Sequence, residues 1–265
     1  MLTVVASGKA APGATTSAWA LALAWPGELL MVDCDPAGGD MAPGLLPGRV
    51  VADRGLLSWS AAARGGVPAM AAAAMFAAHA VALPEWPQVW LVPGFTTATQ
   101  SHSFTPEVWE RLALALALAR SSAAIGRDSL VDAGRLVGDR APWPVLRAAD
   151  QVIVTVRPTV RSVHAAQDAT QRLRHELGDL AKVVALVVGD GPYSAAEVAV
   201  ALALPLAGTL PYDRPTAQVL SDGAAGERGL HRSPLLRAAG AVAREAVRAA
   251  AAAAAGSAGT GMVRR

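Results

Sequence analysis

The chain has 265 residues, a formal net charge of +2 and a hydrophobic content of 53%, enough for one large α/β domain or two small ones with a sizeable core. Its single cysteine, Cys34, excludes an internal disulfide and a cysteine-built metal cluster. No run of about 20 strongly apolar, uncharged residues suggests a membrane span, and no basic leader precedes the first strand pattern, so a cytoplasmic protein is expected.

The first predicted element is a strand over Leu2–Ala6, followed by "SGKAAPGATT" and a helix over Thr15–Trp25. Gly8-Lys9-Ala10-Ala11-Pro12-Gly13-Ala14-Thr15 fits G-x4-G-x-T between a strand and a helix, the context that a phosphate-binding loop needs. Loop N–H groups and the helix N-terminus can face phosphate oxygens there, and the Thr15 hydroxyl is placed for Mg²⁺. Ala14 stands where such a loop carries its lysine. Charge-assisted hydrogen bonds contribute ~1.5–3 kcal/mol each, so this loss predicts triphosphate binding weaker by roughly ten- to a hundredfold. Any strand–turn–helix can hold two glycines, so the loop alone does not establish a nucleotide site. Lysine occurs only at positions 9 and 182, so Lys9 is no accident of a lysine-rich background.

The next strand, Leu29–Asp33, runs into "DCDPAGGD". Alternation directs Asp33 and Asp35 to one side near the strand's C-terminal edge, where ligands of open α/β sheets bind. Two carboxylates there suit a Mg²⁺ shell or an oriented water; a capped turn would have the same sequence. Asp53–Ala80 reads as two short Ala-rich helices broken at Gly65–Gly66, ahead of a strand over Val89–Val92 and a helix over Thr105–Arg120. Ser129–Asp132 is a strand ending on an acidic residue, Asp132, in "VDAGRL", the position of a carboxylate that holds Mg²⁺ through water in phosphate-binding ATPases. Strands over Gln151–Val156, Val183–Val188 and Leu206–Leu210 alternate with helices over Thr159–Gly178, Ser194–Leu202 and Pro234–Ala254. The strands lack polar alternation, as expected when both faces are covered. The pattern predicts one α/β domain over residues 1–255, a three-layer P-loop-type fold with a mostly parallel sheet of about seven strands. The Gly/Ser/Thr-rich residues 256–265 are expected to be a disordered tail.

Loop, D-x-D-P and strand-ending Asp, in this order, resemble the ParA/MinD family of deviant P-loop ATPases over about Leu2–Ala239. The family's loop reads K-G-G-x-G-K-[ST]-[ST]; Lys9-Ala10-Ala11-Pro12-Gly13-Ala14-Thr15-Thr16 occupies it. The resemblance implies ATP and Mg²⁺ as cofactors, with the loop holding phosphates and Thr15, Asp33 and Asp132 serving the metal. It makes Lys9 the signature lysine that reaches the partner's phosphates across a nucleotide-sandwich dimer, and Asp35 the water-orienting carboxylate. "LAGTLPYD" resembles the late loop around the adenine, so Pro211 and Asp213 are binding candidates. Ala14 departs from the family's second lysine, Ala10 and Ala11 from two glycines, and Gly189 from a base-reading Asn; weak or absent ATP turnover follows. "DCDPAGGD" and "VDAGRL" look nearest to the divergent TadZ/CpaE branch, localisation factors of pilus-assembly and secretion machines.

The C-terminal helix places Arg237, Arg244 and Arg248 at spacings of seven and four. A basic face of that kind can hold DNA by counterion release, although a solvated helix face looks the same. Met262-Val263-Arg264-Arg265 is too short and polar for a membrane-anchoring helix. The five histidines show no ligand spacing. Trp59, after the second acidic loop, is a candidate for a partner surface or the core. The expected function is a homodimerising ATP-binding positioning factor that serves a partition, pilus or secretion partner. Two alternatives are a pseudo-ATPase scaffold and a DNA-associated partition ATPase.

Overall fold

The computed structural model describes residues 1–9, 13–39, 41, 53–137, 140–223 and 229–260, with only the backbone considered for 253–260. Eight strands form one sheet: β1 (Leu2–Ser7), β2 (Leu29–Asp33), β3 (Val81–Leu83), β4 (Trp86–Val92), β5 (Asp128–Arg135), β6 (Gln151–Val156), β7 (Val183–Val188) and β8 (Leu206–Leu210), in the order β3-β4-β2-β5-β1-β6-β7-β8. Every neighbouring pair is parallel except β3 with β4. All seven predicted strands are present. The eighth, β3, is a three-residue antiparallel edge strand.

Branched and long apolar side chains on both faces explain why these segments are strands at the centre of a layered domain. Val4, Ala6, Leu30, Val32, Val131, Val152, Val154 and Val187 pack into one core. Val5, Leu29, Met31, Leu130, Ile153 and Leu186, the alternate residues, pack into the other. The first core is closed by α2 (Leu56–Ala62), α3 (Ala69–Ala74), α4 (Phe76–His79), α6 (Pro106–Leu118), α7 (Trp143–Ala148), α8 (Val160–Leu177) and α9 (Ala195–Leu202). The second is closed by α1 (Ala14–Leu23), α10 (Arg214–Asp222) and α11 (Pro234–Thr260). A short α5 (Ala98–Ser101) lies between β4 and α6. Helix α11 enters the stretch from Gly256 expected to be a tail; residues 261–265 lie outside the described ones. Among the described residues no helix is long and apolar enough to cross a membrane.

Trp59 belongs to the core. Its ring is fully buried and stacks on Phe76 at 5.1 Å, and its indole N–H donates to the Ala72 carbonyl at 2.9 Å. It is therefore not a surface for a partner.

Candidate functional site

Because β1, β2 and β4 to β8 run parallel, the segments that follow them emerge along one sheet edge. Alternation then decides which face each side chain serves. Ser7, Asp33 and Asp132 fall in step with Val5, Met31 and Leu130, residues of the core that α1 covers. The chain leaves β1 and passes Gly8 and Lys9, and Gly13 caps α1, which covers that same face. The candidates Ala10, Ala11 and Pro12 lie outside the described residues.

Gly8 and Gly13 are required for different reasons. A Cβ on Gly8 would collide with the Ala165 carbonyl of α8, so this glycine lets the loop press against a helix. Gly13 caps α1 with φ 95°, a left-handed conformation that glycine adopts without strain. No side chain caps α1. Its first N–H groups, which have no partner within the helix, are therefore available to an anion at the loop mouth. Thr15 and Thr16 are half-buried in that first turn, Ala14 is 6% exposed beside them, and Lys9 is exposed.

Asp33 and Asp132 are register partners at the ends of β2 and β5, and both are buried. Asp33 accepts the Asp35 N–H at 3.1 Å, and Asp132 accepts the Gly134 N–H at 2.9 Å. The strand ends at Asp33, so alternation does not extend to Asp35. The Asp33 carboxylate nestles against Gly39 and Gly94, whereas that of Asp35 lies against Gly134. Gly94 follows β4 and Gly134 lies in β5, so the two carboxylates lean to opposite sides of β2. Asp35 also accepts the Ala37 N–H at 2.8 Å, a local turn that fixes its orientation. Cys34, fully buried between them, has its thiol pKa raised, first by burial and then by Asp33, Asp132 and Asp35. Three carboxylates therefore share one small region.

That donor set fits magnesium. Buried carboxylates and a threonine hydroxyl are hard oxygen ligands, and Mg²⁺ is usually held by one or two carboxylates together with substrate phosphates. Among the described residues no group of three or more His, Cys, Asp or Glu could hold a metal by itself. Asp33, Asp132 and Thr15 thus suit an ion that arrives with phosphate oxygens.

At the far end of the edge, Pro211 is half-buried, and Asp213 works within the protein. It accepts from the Thr216 N–H at 3.2 Å and the Thr216 hydroxyl at 2.8 Å, capping α10, and from the Leu235 N–H at 3.4 Å at the start of α11. One residue of this edge escaped the sequence reading. Arg157, directly after β6, carries its guanidinium 5.5 Å from the centre of the Tyr212 ring. Nothing in the local sequence separates it from the other arginines. The arginines of α11 are exposed, but Arg248 pairs with Glu245 at 2.6 Å and Arg237 donates to the Arg232 carbonyl at 2.8 Å.

No protein-family model matches the chain, and no curated protein matches it. Solved structures do. The chain is 18% identical to MinD in the MinC:MinD cell division protein complex of Aquifex aeolicus, with 92% of this chain and 94% of that one covered and a TM-score of 0.70. A ParA family ATPase from Chlorobium tepidum TLS gives 18% identity, 91% and 96% coverage and a TM-score of 0.69. The septum site-determining protein MinD of Pyrococcus horikoshii OT3, complexed with Mg-ADP, gives 16%, 92% and 96%, and 0.62. Over more than nine-tenths of its length, this chain has the fold of MinD and the ParA-family ATPases.

Proposed function

We propose that the protein is a ParA/MinD-like nucleotide-binding positioning factor that works as a homodimer with a protein partner. The observation that carries this reading is the gathering of Gly8–Lys9, the uncapped N-terminus of α1, Asp33, Asp35 and Asp132 at one edge of one sheet. The Gly8–Thr16 backbone holds the phosphates of ATP, and Thr15, Asp33 and Asp132 serve Mg²⁺, which neutralises phosphate charge when bound. Lys9, exposed at the mouth, reaches the phosphates of a second copy. Asp35, held by the Ala37 N–H and Gly134, orients water. Support comes from the neighbours' own states: one MinD is complexed with Mg-ADP and another with MinC.

Ala14 favours a second reading. The position where a lysine would face the phosphates is a small, buried side chain, so turnover is weak or absent and the protein acts as a dimeric scaffold for a pilus, secretion or partition partner. Sedimentation velocity separates the two. Dimer formed on adding ATP and Mg²⁺, and lost in Lys9→Ala, supports the nucleotide-dependent factor. A dimer of equal strength without nucleotide supports the scaffold, and a monomer under every condition contradicts both.

A further inference from the structure

The loop lacks a lysine at position 14, yet the sheet brings another cation to it. In the β1–β6 register Ser7 pairs with Thr155, so Arg157 lies two residues past that pair, where the strand beside β1 ends. In the β6–β7 register Val156 pairs with Val187, which puts Arg157 beside Val188 on its other flank. Val188 is the side chain nearest to a Cβ placed on Gly13, its Cγ1 at 3.9 Å. Both flanks of Arg157 are thus parts of the loop's surroundings.

Face and environment agree with this placement. Val156 faces the core opposite α1, whereas Val188, beside which the β6–β7 register sets Arg157, packs against the core that α1 covers. The Arg157 backbone is fixed, its N–H donating to the Ser162 hydroxyl at 2.9 Å and its carbonyl accepting the Thr159 N–H at 2.8 Å. The side chain is half-buried. Among the described residues it has no carboxylate partner, and its guanidinium lies over the Tyr212 ring. An arginine over an aromatic face is weakly held compared with one that forks onto phosphate oxygens. The other cations fit less well. Lys182 donates to the Arg147 and Ala149 carbonyls at 2.6 and 2.9 Å, at the opposite edge of the sheet. Arg135 is in register with Ser7 but exposed.

We propose that Arg157 supplies, from the same chain, the phosphate-binding cation missing at Ala14, and that Tyr212 holds its guanidinium at the loop until a nucleoside triphosphate arrives. The assignment rests on the nucleotide reading above. Unlike Lys9, Arg157 acts without a second copy, and a planar guanidinium can pair with two phosphate oxygens at once.

The test is calorimetric titration of the full chain with AMP, ADP and ATP in Mg²⁺, using wild type, Arg157→Ala, Arg157→Lys and Arg135→Ala, with Tm recorded for each. The expected result for Arg157→Ala is an unchanged Tm and a loss of ATP affinity of about tenfold or more. The loss should be smaller for ADP and absent for AMP. Arg157→Lys should recover part of the ATP affinity, as a point charge without the two-oxygen fork, and Arg135→Ala should bind as wild type. Wild-type ATP binding in Arg157→Ala, an equal loss for all three nucleotides, or a larger loss in Arg135→Ala overturns the assignment and leaves the nucleotide reading standing. Absence of ATP binding by the wild type removes that reading and the assignment with it.

Discussion

Gly134 shows how a single residue can hold the site. It has φ +61°, and a Cβ there would run into the Asp35 carboxyl group. Gly134→Ala must therefore strain the backbone, displace Asp35, or both, at a cost of about 1–3 kcal/mol. The expected outcome is a Tm lowered by several degrees, with ATP turnover, where present, falling more than ATP affinity. A thermal melt and a phosphate-release assay check this; an unchanged Tm would mean that Asp35 does not rest on Gly134. Cys34 shows the same region from within. Burial first, and then the neighbouring Asp33, Asp132 and Asp35, push its thiol pKa up.

Elements rather than residues explain the far end of the edge. Asp213 ties the start of α10 to the start of α11 through three accepted hydrogen bonds. Losing an N-cap of this kind costs about 1 kcal/mol, so Asp213→Ala should lower Tm, and Asp213→Asn should keep most of the wild-type value. Differential scanning fluorimetry reads both, and an unchanged Tm in Asp213→Ala would contradict the capping role. Element boundaries also show what the sequence disclosed. The seven long strands were legible because two-sided burial leaves uninterrupted Val, Leu and Ile runs. Val81–Leu83 was not, because three residues before Pro84 carry no period and pair only through a tertiary neighbour. Trp143–Ala148 is one short helix of six residues with Pro144 in its first turn, too brief to show a helical period. Arg214–Asp222 did have a signal in Asp213, Pro215 and Thr216, the cap and first turn of a helix. Arg157 had none, since its significance comes from the strands on either side of it.

At the scale of the whole molecule, the likeness to MinD and ParA-family structures persists at 18% identity or less. It does so because the fold depends on alternating apolar strands and covering helices, which tolerate exchange of one apolar side chain for another. The loop is less tolerant. Its outline was readable from Gly8, Gly13 and Thr15, and so was the missing cation at Ala14. What the sequence could not disclose was which carboxylates meet which glycines and which arginine reaches the loop. The central claim is that this sheet edge binds ATP with Mg²⁺ despite Ala14. The most direct measurement is calorimetric titration with ATP and ADP, with and without Mg²⁺, repeated on Thr15→Ala and Lys9→Ala. Magnesium-dependent ATP binding that weakens in both variants is the expected result. No heat and no thermal stabilisation at millimolar ATP would contradict it, leaving a protein that keeps the shape of a nucleotide site for contacts with other proteins.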